Sequence, residues 1–380
     1  MKNTVYFDNA ATSYPKPESV YYEIYRCMRE YCGNPGRGSN KIALAASECI
    51  YDCRKALKNF FNAELEENVI FTYNATYAIN MALKCFVKRG TNVLISDVEH
   101  NAVYRPVAAE ALKGNISFRI FSTFDGDPES ILEDIERKTN YNTSAIICTG
   151  ASNVCNLRLP VSKIGEFAKR KNILFILDAS QLAGHAHIDI QRSGISILCA
   201  PFHKGLYGPQ GGGFMIVGKG VEPRCTLIEG GSGYNSMDIR MPRTLPEMLE
   251  AGTLSTPSAA GLLASLEYIE QAGIDAVSEY EEHISGMLRE VFLLRPELTL
   301  HGDFTEGGVF SVTSIKQDTE ALASALDEHG ILVRSGLHCA PLAHKKLGTQ
   351  NTGTVRFSAG IFNTENDIDT LDYALKRILT

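Results

Sequence analysis

Unbroken apolar runs, each closing on polar residues, set the organisation of this chain. Ile173-Leu174-Phe175-Ile176-Leu177 stops at Asp178. Ile195-Ser196-Ile197-Leu198-Cys199-Ala200 stops just before Phe202-His203-Lys204-Gly205 and the glycine-rich turn Gly208-Pro209-Gln210-Gly211-Gly212-Gly213. Short apolar runs bounded by turn residues predict strands buried on both faces. Comparable runs predict strands over 69–72, 92–96, 116–120, 145–148 and 214–217, with helical stretches between several of them. Such alternation predicts an α/β fold whose mostly parallel sheet is covered on both faces. Before it, Val5-Tyr6-Phe7 predicts a short strand opening into Asp8-Asn9-Ala10-Ala11-Thr12. Pro15 and Pro17 start a helix to about Glu30, and a long amphipathic helix covers 42–61. Helices over 257–272 and 275–294, strands over 309–312, 331–334 and 355–358, and a last helix from Glu365 predict a smaller α+β domain. The expected division is 15–250 for the large domain and 1–14 plus 251–380 for the small one.

Composition narrows the function classes. The chain has 380 residues, 44% hydrophobic and 21% charged, as expected of a globular enzyme. A net charge of -7 argues against nucleic acid or an acidic membrane surface as partner. No apolar run approaches a membrane span, and Met1-Lys2-Asn3-Thr4 lacks a signal peptide's apolar stretch, so the expected location is cytoplasmic. The ten cysteines are neither dense nor regularly spaced. Cys49 and Cys53, at i, i+4, are therefore expected as small core residues, with no metal site.

In doubly covered sheets, ligands bind beyond the strand C-termini. The residues predicted there are Thr76, His100, Asn153, Asp178, Gln181, His203 and Lys204. A lysine at the mouth of a buried strand either turns back to water or has its pKa lowered, and a lowered amine forms a Schiff base with an aldehyde. That is the arrangement used with pyridoxal phosphate (PLP), whose pyridine nitrogen needs a carboxylate such as Asp178 to stay protonated. Taken singly, Asp178 capping a turn or Lys204 on the surface is the rival reading. Thr76 opens a helix directly after a strand, where it holds a phosphate or serves that helix's terminus. His100 stacks on a planar ring or is an ordinary loop histidine, and Gln181 meets a ring hydroxyl or solvent. Cys339 stands beside His338 in a glycine- and proline-bounded loop: a nucleophile whose thiolate a neighbouring cation would favour, or a filler. Arg356, inside an apolar strand, needs a carboxylate, supplied by an amino-acid substrate or by a structural salt bridge.

Together these residues resemble the class V aminotransferase-like PLP enzymes, specifically the cysteine desulfurases and selenocysteine lyases. The motifs run the length of the chain: Tyr6-Phe7-Asp8-Asn9-Ala10-Ala11-Thr12, Arg37-Gly38, Glu99-His100, Ser152-Asn153-Val154, Asp178-Ala179-Ser180-Gln181, His203-Lys204, Tyr207-Gly208-Pro209, Ala251-Gly252-Thr253, Arg334-Ser335-Gly336 with His338-Cys339-Ala340, and Arg356 with Asn363-Thr364-Glu365. The resemblance implies the PLP-dependent transferase fold (aspartate aminotransferase-like, fold type I) with a seven-stranded sheet. It implies that Lys204 carries PLP and moves protons, that Asp178 meets the pyridine nitrogen and Gln181 the phenolic oxygen, and that His100 stacks on the ring. Ala75, Thr76 and His203 would bind the phosphate, joined by Thr253 of a second subunit, so a homodimer is implied. Ala11, Asn153 and Arg356 would bind the substrate, and Cys339 would take its sulfur as a persulfide, leaving alanine. The short cysteine loop is similar to that of the group holding this residue fairly rigidly. Pro201, Phe202, Gly205, Leu337 and Asn74 depart from the commoner pattern. The remaining alternatives are a selenocysteine lyase, another class V aminotransferase or β-eliminating lyase, and a catalytically idle scaffold for a sulfur-carrier protein.

Overall fold

The computed structural model describes residues 4–36, 40–234, 236–304 and 307–380; Arg37 and Gly38, quoted above among the motifs, lie outside the described residues. After β1 (Val5–Tyr6), the chain forms α1 (Glu18–Glu30) and α2 (Lys41–Phe60), and then enters a seven-stranded sheet. Its strands are β2 (Val69–Thr72), β3 (Thr91–Ser96), β4 (Ile116–Phe121), β5 (Thr143–Thr149), β6 (Leu174–Asp178), β7 (Ile197–Pro201) and β8 (Gly213–Val217). Their spatial order is β2-β8-β7-β6-β5-β3-β4. All neighbours pair in parallel except β8, which runs antiparallel to both β2 and β7. The turn over 202–212 is too short for a crossover helix, so β8 has to return antiparallel.

Helices α3 (Ala75–Phe86), α4 (Asn101–Leu112), α5 (Pro128–Lys138) and α6 (Val161–Lys171) fill the connections. The central strands are apolar on both faces, and successive residues feed opposite layers. Val93, Ile95, Ala145, Ile147, Ile176 and Ile197 pack with Ile79 and Leu83 of α3 and Val103 and Val107 of α4. Leu94, Ile146, Cys148, Phe175, Leu177 and Leu198 pack with Leu57 of α2, Ile135 of α5 and Phe167 of α6. The edge strand β4 alternates instead, with Ser117 and Arg119 exposed. Because β3 has β4 on one side and β5 on the other, the connections diverge between β3 and β5. That divergence opens a crevice at the strand C-termini.

Beyond the sheet, α7 (Thr256–Ala272) packs on α1 and α2, and α8 (Ile274–Leu293) leads into a four-stranded antiparallel sheet. The latter joins β9 (Leu298–His301), β10 (Val309–Ser314), β12 (Arg334–Gly336) and β13 (Thr354–Ser358) in the order β12-β13-β10-β9. The strand expected over 331–334 divides in two. Residues Ile331–Leu332 form β11, which pairs in parallel with β1, whereas β12 pairs with β13. Helices α9 (Thr319–Glu328), α10 (Pro341–Leu347) and α11 (Glu365–Ile378) complete the chain. Val5 and Phe7 join Ile284, Leu288, Phe310, Phe357 and Leu371 in a separate core, so the N-terminal segment is built into this second lobe. Among the described residues, no helix is long and apolar enough to cross a membrane, and no group of three or more His, Cys, Asp or Glu is arranged to hold a metal.

Candidate active site

A cavity of about 220 Å³ lies where the C-termini of β3, β5, β6 and β7 meet the second lobe. Its walls include all seven residues expected at the strand ends: Thr76, His100, Asn153, Asp178, Gln181, His203 and Lys204. Ala11, Ala75 and Arg356 line it as well. Two expected residues stand apart. Cys339 is exposed and its loop reaches the cavity through His338, while Thr253 is exposed and lines a different hollow with Tyr73 and Tyr77.

Lys204 follows β7, and its Nζ makes no hydrogen bond among the described residues. Burial lowers its pKa to about 8, and Arg356 and Arg334 push the same way, although Asp178 favours the cation. The peptide before it is braced. The carbonyl oxygen of His203 accepts from Ser13 N at 3.0 Å, Thr12 Oγ1 at 3.1 Å and Lys16 Nζ at 2.9 Å. Asp178 ends β6, buried, with Oδ1 accepting from the backbone N–H of Ser180 at 3.0 Å. His100 caps α4 by accepting from Ala102 N through Nδ1 at 3.0 Å, which leaves its proton on Nε2. Burial, with Lys204 nearby, depresses its pKa to about 4, so the ring is neutral. Gln181 donates from Nε2 to the carbonyl of Ala10 at 2.9 Å.

At the start of α3, the side chain of Asn74 accepts from Tyr77 N at 2.9 Å, and Ala75 and Thr76, the first two residues of the helix, stand at the cavity wall. This close seat needs Gly213 at the head of β8, because a Cβ there would lie 2.6 Å from the backbone carbon of Asn74. His203 is neutral too, its pKa lowered to about 4 by burial, and its buried Nδ1 has no partner among the described residues.

On the second-lobe side, Arg356 is fully buried in β13 and ion-paired with Asp8, and it donates from Nη1 to the carbonyl of Asn153 at 3.1 Å. The structural salt bridge weighed for this residue is therefore present, yet its Nε stays unpartnered among the described residues. Asn153 donates from Nδ2 to His338 O at 2.8 Å, and its buried Oδ1 is likewise free among the described residues. Polar atoms left unmatched around one cavity are what a charged ligand would satisfy. The amides of α3 with the His203 ring suit a phosphate, Asp178 a pyridinium, and Lys204 an aldehyde, so the donor set fits PLP.

The loop after β12 departs from the expectation for His338. This histidine is buried, accepts or donates through Nε2 at Thr354 Oγ1 (3.1 Å), and is driven far below the ordinary histidine range by burial and by Arg356. It is neutral and supplies no cation to its neighbour. Gly336, His338 and Cys339 all adopt positive φ (104°, 47° and 57°), and Asn101 N donates to Cys339 O at 2.7 Å. A tight, strained turn pinned to the residue after His100 thus carries the cysteine.

Arg334 also lines the cavity, although the sequence reading gave it no role of its own. Its signal was an arginine closing the apolar run Ile331-Leu332-Val333. Glu99 is a second omission: completely buried, with Oε1 accepting from Thr149 N at 3.0 Å and Oε2 without a partner among the described residues. Burial raises its pKa to about 8. Between about pH 4.5 and 8 the folded chain keeps a proton that the unfolded chain has lost, so stability falls as pH rises through that window. Glu99→Gln is expected to melt like the wild type at pH 5 and a few degrees higher at pH 8.5, measured by scanning calorimetry. An unchanged difference between the two pH values would contradict a buried, protonated Glu99.

Residues 5–371 match the family model described as aminotransferase class-V. The chain belongs to that family. Among class-V relatives, it is 30% identical over 388 residues to a probable cysteine desulfurase of Methanothermobacter thermautotrophicus, covering 100% of this chain and 95% of the relative. Identity is also 30% over 393 residues to a probable cysteine desulfurase of Pyrococcus abyssi, with 100% and 95% covered. Among solved class-V structures, the apo cysteine desulfurase of Thermococcus onnurineus NA1 superposes with a TM-score of 0.90 at 26% identity, covering 99% of this chain and 94% of that one. A cysteine desulfurase of Escherichia coli, at 23% identity and a TM-score of 0.86 over 99% and 94% of the two chains, shares the fold.

Proposed function

We propose that this class-V chain is a PLP-dependent cysteine desulfurase, converting L-cysteine to L-alanine and keeping the sulfur on Cys339 as a persulfide. The observation that carries this reading is the convergence of a pKa-lowered Lys204, Asp178 and an incompletely paired Arg356 on one cavity, beside an exposed cysteine in a pinned turn. Bound PLP supplies the electron sink that weakens the substrate's Cβ–S bond. Asp178 would keep the pyridine nitrogen of bound PLP protonated, Gln181 would serve its phenolic oxygen, and the neutral His100 would lie against its ring. Ala75, Thr76 and His203 would hold its phosphate. Arg356 and Asn153, with Ala11 at the wall, hold the substrate carboxylate. Lys204 holds and delivers the proton at Nζ. Cys339 Sγ forms a bond to the substrate sulfur as the Cβ–S bond breaks, and a proton goes to Cβ, so a thiol and L-cysteine become a persulfide and L-alanine.

Thr253 comes from a second copy of the chain in this reading, and the exposed stripe of Tyr22, Tyr25 and Met28 on α1 supports a covered face and a homodimer. For function the chain divides into 15–250, which holds PLP, and 1–14 plus 251–380, which carries the cysteine loop, with α7 packed across from the second part onto the first. A small sulfur-accepting protein collects the persulfide, and the cytoplasm is the working compartment.

The test is product analysis after incubation with L-cysteine, PLP and a thiol reductant. Alanine and sulfide in equal amounts are expected. Keto acid, with amination of the cofactor, would instead indicate an aminotransferase. Turnover of L-selenocysteine but not of L-cysteine would indicate the lyase.

A further inference from the structure

The turn that carries Lys204 is pressed against the turn that follows Asp178. Gly184, at φ 87°, approaches Gly205 so closely that a Cβ at 184 would lie 2.0 Å from Gly205 O. A Cβ at 205 would lie 2.4 Å from His185 Nε2. The glycine directly after Lys204 is thus required by the His185 ring. One carboxylate from the other lobe grips the outer ends of both turns. Glu281 of α8, itself buried, accepts from Tyr207 OH at 2.8 Å and pairs with His185 Nδ1 at 2.7 Å. Tyr207 is fully buried, sits at a positive φ of 53°, and closes the lysine turn by donating from its backbone N–H to Lys204 O at 2.8 Å. A tyrosine gains nothing from that backbone conformation, so something must hold it there. Three residues further along α8, Ile284 enters the core of the lobe that bears the cysteine loop.

We propose that Glu281 is a positioning residue for Lys204: its carboxylate holds the strained Tyr207 and the His185 ring, fixes the direction of the lysine amine, and sets it relative to the cysteine-bearing lobe. This rests on the reading that Lys204 carries PLP. Glu281 is not part of the wall of the Lys204 cavity, so its loss should be felt through geometry. A misplacement of about 1 Å costs on the order of 100-fold in rate.

The experiment compares wild type, Glu281→Gln, Glu281→Ala and Tyr207→Phe, all loaded with PLP and corrected for bound cofactor. Borohydride labelling of Lys204 in the wild type tests the parent reading first; without that label both readings fall. With it, Glu281→Ala is expected to lower kcat by roughly 10- to 100-fold at a KM within about twofold, and to weaken the visible circular dichroism per bound PLP. Glu281→Gln keeps the Tyr207 acceptor and should recover part of both signals, and Tyr207→Phe should fall between the two. Wild-type circular dichroism and kcat per bound PLP in Glu281→Ala, with a lowered Tm alone, would overturn the proposal and leave the parent reading standing.

Discussion

Cys339→Ser is expected to lower sulfide release from L-cysteine by at least about 100-fold while leaving PLP bound and KM for L-cysteine close to wild type. The expectation follows from where the thiol sits. Cys339 is exposed, lies outside the lining of the Lys204 cavity, and its turn is pinned through its backbone carbonyl to Asn101 N at 2.7 Å. Serine keeps that backbone contact and fills nearly the same volume. What it loses is a nucleophile: at neutral pH a hydroxyl is a far weaker acceptor of sulfur than a thiolate. Among the described residues, nothing nearby substitutes for it. The adjacent His338 is neutral and tied to Thr354, and Cys148 and Cys199, the thiols close enough to feel Asp178, are completely buried, with burial raising both pKa values well above the ordinary thiol range. Sulfide release by the serine variant at the wild-type rate would mean that the substrate sulfur leaves without passing through residue 339.

Much of this architecture was legible because it is written in local runs. A strand buried on both faces must be apolar throughout, so β6 and β7 announced themselves, and the residues closing them had to stand at the sheet's C-terminal edge. Seven polar residues placed by that rule alone do meet in one cavity. What escaped were groups whose meaning depends on distant partners. Asp8 binds Arg356 across 348 positions, and Glu281 meets Tyr207 across 74 and His185 across 96. No periodicity encodes such pairings. The strand β9 (Leu298-Thr299-Leu300-His301) was missed because four residues of alternation directly after a long helix are too few to distinguish from its continuation. His338 misled for a different reason: adjacency to a cysteine suggested a cation, and burial decides the charge instead.

The largest effect is expected at Lys204. Lys204→Ala should lose the borohydride-stable PLP label entirely and reduce turnover of L-cysteine by about 1000-fold or more. A second lysine complicates the assignment and also sharpens the test, because burial lowers Lys16 to about 8 as it does Lys204. Lowered pKa alone therefore does not choose between the two amines; geometry does. Lys16 Nζ already donates to Ser13 Oγ at 2.8 Å and to His203 O at 2.9 Å, and it stands outside the cavity lining, whereas Lys204 Nζ is free among the described residues and lines it beside Asp178. The pH dependence has a definite sign. Only the neutral amine attacks an aldehyde, so the rate at which PLP-free protein captures PLP should rise with pH and reach half its maximum near 8, more than two units below an ordinary lysine. Burial is what depresses the value, and the carboxylate of Asp178 opposes it, so Asp178→Asn should move the midpoint lower still. Stopped-flow absorbance on PLP-free wild type, Lys204→Ala and Asp178→Asn, followed by peptide mapping after reduction, measures the midpoint and the site of the label. A label on Lys16, or a midpoint near 10.5, would place the reactive amine somewhere other than position 204.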